Sequence, residues 1–136
     1  MRNSPGSGHI PRSERGCRIS AKLRQFEPTG LKRFSVDTAD EYIWPVVASD
    51  TIIKLQLHSF ESERLEMWRI PQAASVSELT PIGGLELFVV QGSVCFDQRA
   101  FATNSWLRFT RNARLEFYAG EDTLLCVKSG HLPIGN

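Results

Sequence analysis

The 136-residue sequence has few of the residues that carry chemistry in small proteins: three cysteines and three histidines, all widely separated. Cys17, Cys95 and Cys126 are odd in number and show no paired spacing, which excludes a zinc knuckle and argues against a disulfide framework. No apolar run approaches the roughly 20 residues needed to cross a bilayer. Residues 1–11 lack the apolar core of a secretory signal. We therefore expect a cytoplasmic protein with no membrane association.

Motifs for catalysis and cofactor binding are also missing. The sequence contains no Gly-x-Ser-x-Gly, no phosphate-binding loop and no dinucleotide fingerprint. No cysteine has a histidine close to it in the sequence. We expect no catalytic residues and no cofactor.

Charge is unevenly distributed along the chain. Residues 1–33 carry eight basic and two acidic residues, whereas residues 34–136 carry eight basic and thirteen acidic residues. The first segment has neither an aromatic pattern nor a helical stripe, so we interpret it as a flexible basic leader. A nucleic-acid contact through this leader is the weaker interpretation, and we do not expect nucleic acid as a partner. Residues 34–136 are predicted to form one domain.

Apolar and polar residues alternate in many short runs after residue 50, and no run has a helical period. Ile53, Leu55 and Leu57 alternate with Lys54 and Gln56, for example. Turn residues separate the runs about every eight to twelve residues, which is typical of an antiparallel sandwich or barrel. Residues 71–84 are predicted to be irregular. The predicted strands cover residues 51–58, 64–70, 85–90, 93–97, 106–109, 114–118 and 123–128, with a short eighth strand over residues 34–37 as an alternative. Residues 99–101 are predicted to lead into a turn at Thr103 and Asn104.

Three stretches resemble motifs of the cupin superfamily. Residues 83–92, Gly-Gly-Leu-Glu-Leu-Phe-Val-Val-Gln-Gly, resemble the first cupin motif, and residues 101–109, which include Trp-Leu-Arg, resemble the second motif in its ChrR-like form. Residues 127–132 resemble the ending of that subfamily. The resemblance covers roughly residues 36–133. It implies an all-β protein, a small antiparallel jelly-roll barrel with a largely irregular N-terminal arm, and a homodimer.

The resemblance also implies four positions at which cupins bind a metal through three histidines and a glutamate. The glutamate position, seven residues before Gly92, holds Leu85, and the position of the third histidine holds Leu115. The two-histidine position is Leu79 with Pro81, or Glu78 with Thr80 if the preceding loop is one residue shorter. None of these residues is a histidine, so we expect no metal. We predict a filled core or a small apolar pocket, formed by Leu79, Pro81, Leu85, Leu87, Leu115 and Phe117.

Two histidines outside these positions are weaker candidates for a metal site. His58 ends the first strand on the predicted face of Lys54 and Gln56, and His131 lies in the C-terminal tail. Glu86 is expected to point away from the interior, where it is solvated or paired with Arg108. The sequence therefore predicts a metal-free module that binds a small apolar molecule or a protein without catalysis. The alternative is a metal-dependent dioxygenase or isomerase with non-standard ligands.

Overall fold

The computed structural model describes residues 10, 12–19, 35–48 and 50–132. The chain divides into two units, Met1–Asp37 and Thr38–Asn136. In the first unit, the described residues contain no helix or strand, and the Ser13 hydroxyl donates to the Gly16 carbonyl at 2.8 Å. The predicted flexibility of the leader, residues 1–33, mostly concerns positions outside the described residues. No helix in the described part of the chain is long and apolar enough to span a membrane.

The second unit is built almost entirely from strands. One 3₁₀ turn, Glu41–Ile43, precedes nine described strands. In chain order the strands are β1 (Ile53–Phe60), β2 (Glu63–Ile70), β3 (Ser75–Leu79), β4 (Leu85–Gln91), β5 (Ser93–Phe96), β6 (Arg99–Ala102), β7 (Trp106–Phe109), β8 (Arg114–Ala119) and β9 (Thr123–Ser129).

The strands form two antiparallel sheets. One sheet has the order β1-β2-β9-β4-β7 and the other has the order β3-β8-β5-β6. Strands that follow each other in the chain repeatedly change sheets, which is the jelly-roll arrangement, and β1 adds a fifth strand to one sheet. The predicted all-β jelly roll is confirmed. The expectation that residues 71–84 are irregular is wrong for Ser75–Leu79, which form β3 and pair with β8.

Alternation along the strands explains which residues enter the space between the sheets. In β8, Leu115, Phe117 and Ala119 are buried, while the alternate residues Arg114, Glu116 and Tyr118 are exposed. In β4, Leu85, Leu87 and Val89 belong to the core. Because successive side chains of a strand point to opposite faces, one apolar set from each sheet meets in the middle. The buried core comprises Trp68, Ile70, Val76, Leu85, Leu87, Val89, Val94, Leu115, Phe117, Ala119, Leu125 and Val127.

Three further phenylalanines, Phe96, Phe101 and Phe109, pack against this core, and Phe96 also contacts Phe117 within it. The Phe96 ring lies 6.0 Å from Phe101, 5.3 Å from Phe109 and 4.9 Å from Phe117, measured between ring centroids. These distances are typical of favourable aromatic pairs. Phe96 therefore joins β5 to the opposite sheet through Phe109 on β7.

The turn after β4 requires glycine. Gly92 has a φ of +85°, a conformation that other residues rarely adopt. A Cβ atom at this position would lie 2.6 Å from the Asp122 carbonyl oxygen. Gly92 therefore allows the β4–β5 turn to approach the β8–β9 turn closely.

A short segment before β1 attaches to β2. The Trp44 indole nitrogen donates to the Thr38 carbonyl at 3.0 Å, and the Arg69 guanidinium carbon lies 3.9 Å from the centroid of the Trp44 ring. Both carboxylate oxygens of Glu41 accept hydrogen bonds from Arg69 at 2.7 Å. These hydrogen bonds hold the pKa of Glu41 below its ordinary value. Arg69 is thus the common partner of the two side chains that attach this segment.

Candidate functional site

Four of the six residues predicted to line the pocket lie together between the sheets. Leu85 and Leu87 on β4, and Leu115 and Phe117 on β8, are members of the buried core. Leu115 has no exposed surface. Whether a ligand enters among these side chains stays a prediction. Their positions are those of tightly packed core residues.

The other two predicted pocket residues lie at the surface. Leu79 is 70% exposed, and Pro81 is also exposed. Leu79 pairs with exposed Arg114 in the β3–β8 ladder, whereas its neighbour Glu78 pairs with buried Leu115. Because paired residues share a face of the sheet, Glu78 lies on the inner face and Leu79 on the outer face. The structure thus places the alternative pair, Glu78 and Thr80, on the inner side.

Thr80 is buried, and its hydroxyl is hydrogen-bonded both as a donor and as an acceptor. The hydroxyl donates to the Thr110 carbonyl at 2.6 Å and accepts from the Ala113 backbone N–H at 2.9 Å. The Thr80 backbone N–H donates to the Ala113 carbonyl at 3.0 Å. Thr80 therefore fixes the loop that leads into β8, and this bonding explains its burial without a ligand.

Glu78 forms an ion pair that joins the two sheets at their edge strands. The Lys54 ammonium, on β1, donates to both carboxylate oxygens of Glu78 on β3, at 3.0 and 3.2 Å. Each of the two side chains is 39% exposed. The pair lies on the open side of the sandwich between β1 and β3, each of which ends its sheet. No local sequence pattern predicts this pair, because its members are 24 positions apart.

An indole completes this arrangement. Lys54 pairs with Trp68 across β1 and β2, and the Lys54 ammonium nitrogen lies 3.8 Å from the Trp68 ring centroid. The Trp68 indole nitrogen donates to the Glu66 carboxylate at 3.0 Å. Trp68 itself is only 2% exposed. We refer to Lys54, Glu66, Trp68 and Glu78 as the Lys54 cluster.

Glu78, Thr80, Leu85 and Leu115, the inward residues at the four positions that the cupin resemblance assigns to a metal, do not fit a divalent ion. Leu85 and Leu115 offer no ligand atom, the Thr80 hydroxyl is occupied, and Glu78 already binds an ammonium group. Transition metals in proteins take several nitrogen, oxygen or sulfur ligands. Across the described residues, no group of three or more His, Cys, Asp or Glu is placed to hold a metal ion.

The remaining candidate metal ligands, His58 and His131, lie on the outer face of the five-stranded sheet. The pairing register of β1 with β2 shifts between Gln56 and His58. His58 therefore pairs with Leu65 and lies on the opposite face of the sheet from Lys54 and Gln56. The expectation that these three residues share a face is therefore wrong. Leu65 pairs with Lys128, which also pairs with Glu86. His58 is thus on the side of the sheet opposite to the core.

Glu86 points away from the interior, as expected, but it is buried rather than solvated. Its carboxylate lies 3.0 Å from His131 Nε2 and 3.9 Å from Arg108 Nε. Beside it, the Lys128 ammonium lies 3.3 Å from the Glu63 carboxylate. The pair of His131 with Glu86 holds the segment after β9 against the outer face of β4. Neither His58 nor His131 lies at the inner positions.

Comparisons with known proteins give structural matches only. No protein-family description matches the sequence, and no curated protein matches it. A chain in the crystal structure of Rhodobacter sphaeroides SigE in complex with the anti-sigma ChrR matches with a TM-score of 0.55 and 13% identity. This match covers 64% of the present chain and 49% of the other, so it spans about half of that protein.

Two further solved structures match over more of their own length. An acetylacetone dioxygenase from Acinetobacter johnsonii has a TM-score of 0.59 at 10% identity, covering 84% of this chain and 78% of that one. A cupin superfamily protein from Desulfitobacterium hafniense has a TM-score of 0.55 at 12% identity, covering 65% and 84%. Identities this low establish architecture and leave activity open. With the jelly-roll strand order, they show that this protein has the cupin fold.

Proposed function

We propose that this protein is a metal-free cupin of the ChrR-like type, which binds a small molecule or a protein partner and performs no catalysis of its own. The observation that carries the proposal is the identity of the inward residues at the four positions. Two are buried leucines, one is a threonine whose hydroxyl is occupied, and one is a glutamate paired with Lys54.

Energetics favour a filled interior over an ion. Burying a leucine side chain contributes about 1.5–3 kcal/mol relative to leaving it in water. A divalent cation placed beside Leu85 and Leu115 would lose hydration without gaining protein ligands, which costs far more than a lost hydrogen bond. The leucines thus stabilise the barrel in a way that a metal at this place cannot.

The acid and base groups near the interior are also committed to structural contacts. Glu66 accepts from the Trp68 indole, and Glu78 accepts from Lys54. His58 and His131 are on the other side of the five-stranded sheet. General acid–base catalysis needs a titratable group within hydrogen-bond reach of a substrate. This arrangement supports binding rather than catalysis.

Metal analysis tests this proposal. The protein is purified without chelator, its affinity tag is removed, and iron, zinc, manganese and nickel are measured by mass spectrometry. We expect far less than one ion per chain. Each metal is then added during thermal unfolding. A metal at 100 times its Kd stabilises a folded protein by about 2.7 kcal/mol, so an unchanged Tm argues against binding.

The same measurements can favour the alternative function. Near-stoichiometric metal that survives dialysis, together with a Tm that falls on chelation, would support a metal-dependent dioxygenase or isomerase with non-standard ligands. A metal-binding cupin treated identically serves as the positive control, since it must retain its ion through the purification.

Assembly and location complete the proposal. We propose a cytoplasmic location, a compartment in which the free thiols of Cys17, Cys95 and Cys126 are ordinary. We expect a homodimer through the edges of the sheets, where backbone groups can pair with a second chain. Sedimentation equilibrium at several concentrations checks this expectation. A single species at monomer mass throughout would refute the dimer.

A further inference from the structure

The Lys54 cluster has the composition of a site for an ammonium group. We propose that Trp68 and Glu78 form a binding site for small aliphatic primary amines, and that the side chain of Lys54 occupies this site as a resident ligand. This inference rests on the proposed function, because it identifies the ligand class of a binding module.

Two independent contacts recognise the ammonium. The Lys54 nitrogen lies 3.8 Å from the centre of the indole ring, where the negative face of the ring attracts a cation. The same nitrogen donates to both oxygens of the Glu78 carboxylate at 3.0 and 3.2 Å. An indole face with a carboxylate beside it satisfies both the charge and the N–H donors of a primary ammonium.

Both groups are held in place by the fold. The indole nitrogen of Trp68 donates to Glu66 at 3.0 Å, which fixes the orientation of the ring. The backbone of Glu78 is fixed by its place in β3, where it pairs with Leu115. The site therefore draws its two recognition groups from different sheets, and the orientation of the indole does not depend on Lys54.

The local charge favours a cation over an anion. Two carboxylates contact the cluster: Glu78 binds the Lys54 ammonium, and Glu66 accepts from the indole nitrogen of Trp68. Arg64, the next basic residue on this side of β2, is exposed and lies towards the β1–β2 turn. If Lys54 turned to the solvent, Glu78 would lose its partner and the site would carry uncompensated negative charge. A cationic ligand restores that balance, whereas an anionic ligand does not.

Lys54 is able to leave. It lies on an edge strand, and the side chains of Lys54 and Glu78 are both 39% exposed. Ion pairs with this exposure are weak, because water competes for both partners. Trp68 is 2% exposed, and the ammonium of Lys54 lies over its ring. Rotation of Lys54 into solvent uncovers the ring face and the carboxylate together.

The ligand class follows from these contacts. Bidentate bonding to Glu78 requires N–H donors, which a quaternary ammonium lacks. The resident ligand is a primary ammonium on an unbranched four-carbon chain, so n-butylammonium reproduces its end. We therefore use n-butylammonium chloride as the probe, with n-butyltrimethylammonium chloride and sodium chloride at matched ionic strength as controls.

Substituting Lys54→Ala removes the resident ligand. The indole N–H signals of the three tryptophans are followed by ¹H–¹⁵N NMR during titration, and the Trp68 signal is assigned by its loss in Trp68→Phe. We expect saturable movement of the Trp68 signal in Lys54→Ala. The wild-type protein should need about tenfold or more n-butylammonium, because a tethered competitor acts at millimolar or higher effective concentration. The quaternary salt should bind about tenfold more weakly, since it cannot donate hydrogen bonds.

Two further variants separate a specific site from general salt effects. Adding Glu78→Gln to Lys54→Ala should abolish the saturable response. Arg114→Ala removes one member of another exposed ion pair, that with Glu116 on the outer face of the other sheet, and should create no amine response. If Lys54→Ala fails to fold, the wild-type titration decides alone. A Trp68 signal that does not move at saturating concentrations would refute the site.

Failure of this inference is distinguishable from failure of the proposed function. A protein without metal whose Trp68 signal ignores n-butylammonium in every variant remains a candidate binding module, but its Lys54–Glu78 pair is then structural only. A protein that retains stoichiometric metal refutes the proposed function whatever the amine titration gives.

Discussion

Truncating Leu115 to alanine tests whether the barrel interior is a packed core. Leu115 is fully buried on β8 between the two sheets. Removing most of a buried leucine side chain costs the transfer free energy of the lost atoms plus the cavity that remains, about 2–5 kcal/mol. For a unit of about 100 residues, the middle of that range lowers Tm by roughly 15 °C.

The assay is urea unfolding followed by tryptophan fluorescence and by circular dichroism, for the wild-type protein and for Leu115→Ala. The matched control is Leu79→Ala, which makes the same chemical change at a side chain that is 70% exposed. Substitutions at such surface positions usually change stability by less than about 0.5 kcal/mol. If Leu115→Ala costs as little as Leu79→Ala, the interior is not a packed core and our argument against an internal ion loses its basis.

Two further predictions concern the segment before β1 and the turn after β4. The hydrogen bond from Arg69 depresses the pKa of Glu41. The ion pair of Glu41 with Arg69 therefore contributes its full stabilisation above the ordinary glutamate pKa of about 4.3. This stabilisation is lost as the pH falls through the depressed pKa. Acid should therefore increase iodide quenching of Trp44 in the wild-type protein before global unfolding. A Glu41→Gln variant should show strong quenching at every pH. Equal pH dependence in both proteins would contradict the role given to the Glu41–Arg69 pair. In Gly92→Ala, the new residue would have a φ of +85° and a Cβ 2.6 Å from the Asp122 carbonyl oxygen. We expect urea unfolding to show a free energy of unfolding lower by about 1–3 kcal/mol. An unchanged urea midpoint would show that the turn rearranges without cost.

Much of the fold could be predicted from the sequence. The cupin resemblance predicted that Leu85, Leu87, Leu115 and Phe117 lie inside, and the alternation of polar and apolar residues along β8 agrees with the burial of Leu115 and Phe117. The glycine at position 92 marked the turn between β4 and β5. These features are local, because strand geometry alone sends every second side chain to the same face.

β3 escaped prediction because its sequence gives little local signal. Ser75–Leu79 contains one buried apolar residue, Val76, and one exposed leucine. Its place in the sheet comes from pairing with β8, almost forty residues later in the chain. The same pairing puts Glu78, and not Leu79, opposite Leu115, so that Glu78 lies on the inner face of the sheet.

By itself, the sequence therefore determined the all-β jelly-roll fold. That Leu85 and Leu115 stand where cupins bind a metal stays a prediction from the resemblance. Tertiary structure alone decided which polar groups meet. Lys54 reaches Glu78 only because two edge strands from different sheets lie side by side, and His58 faces away from both only because one irregular pairing step shifts its strand. Contacts of this kind depend on sheet order and register, which arise from the packing of the whole domain and leave no periodic trace in the chain.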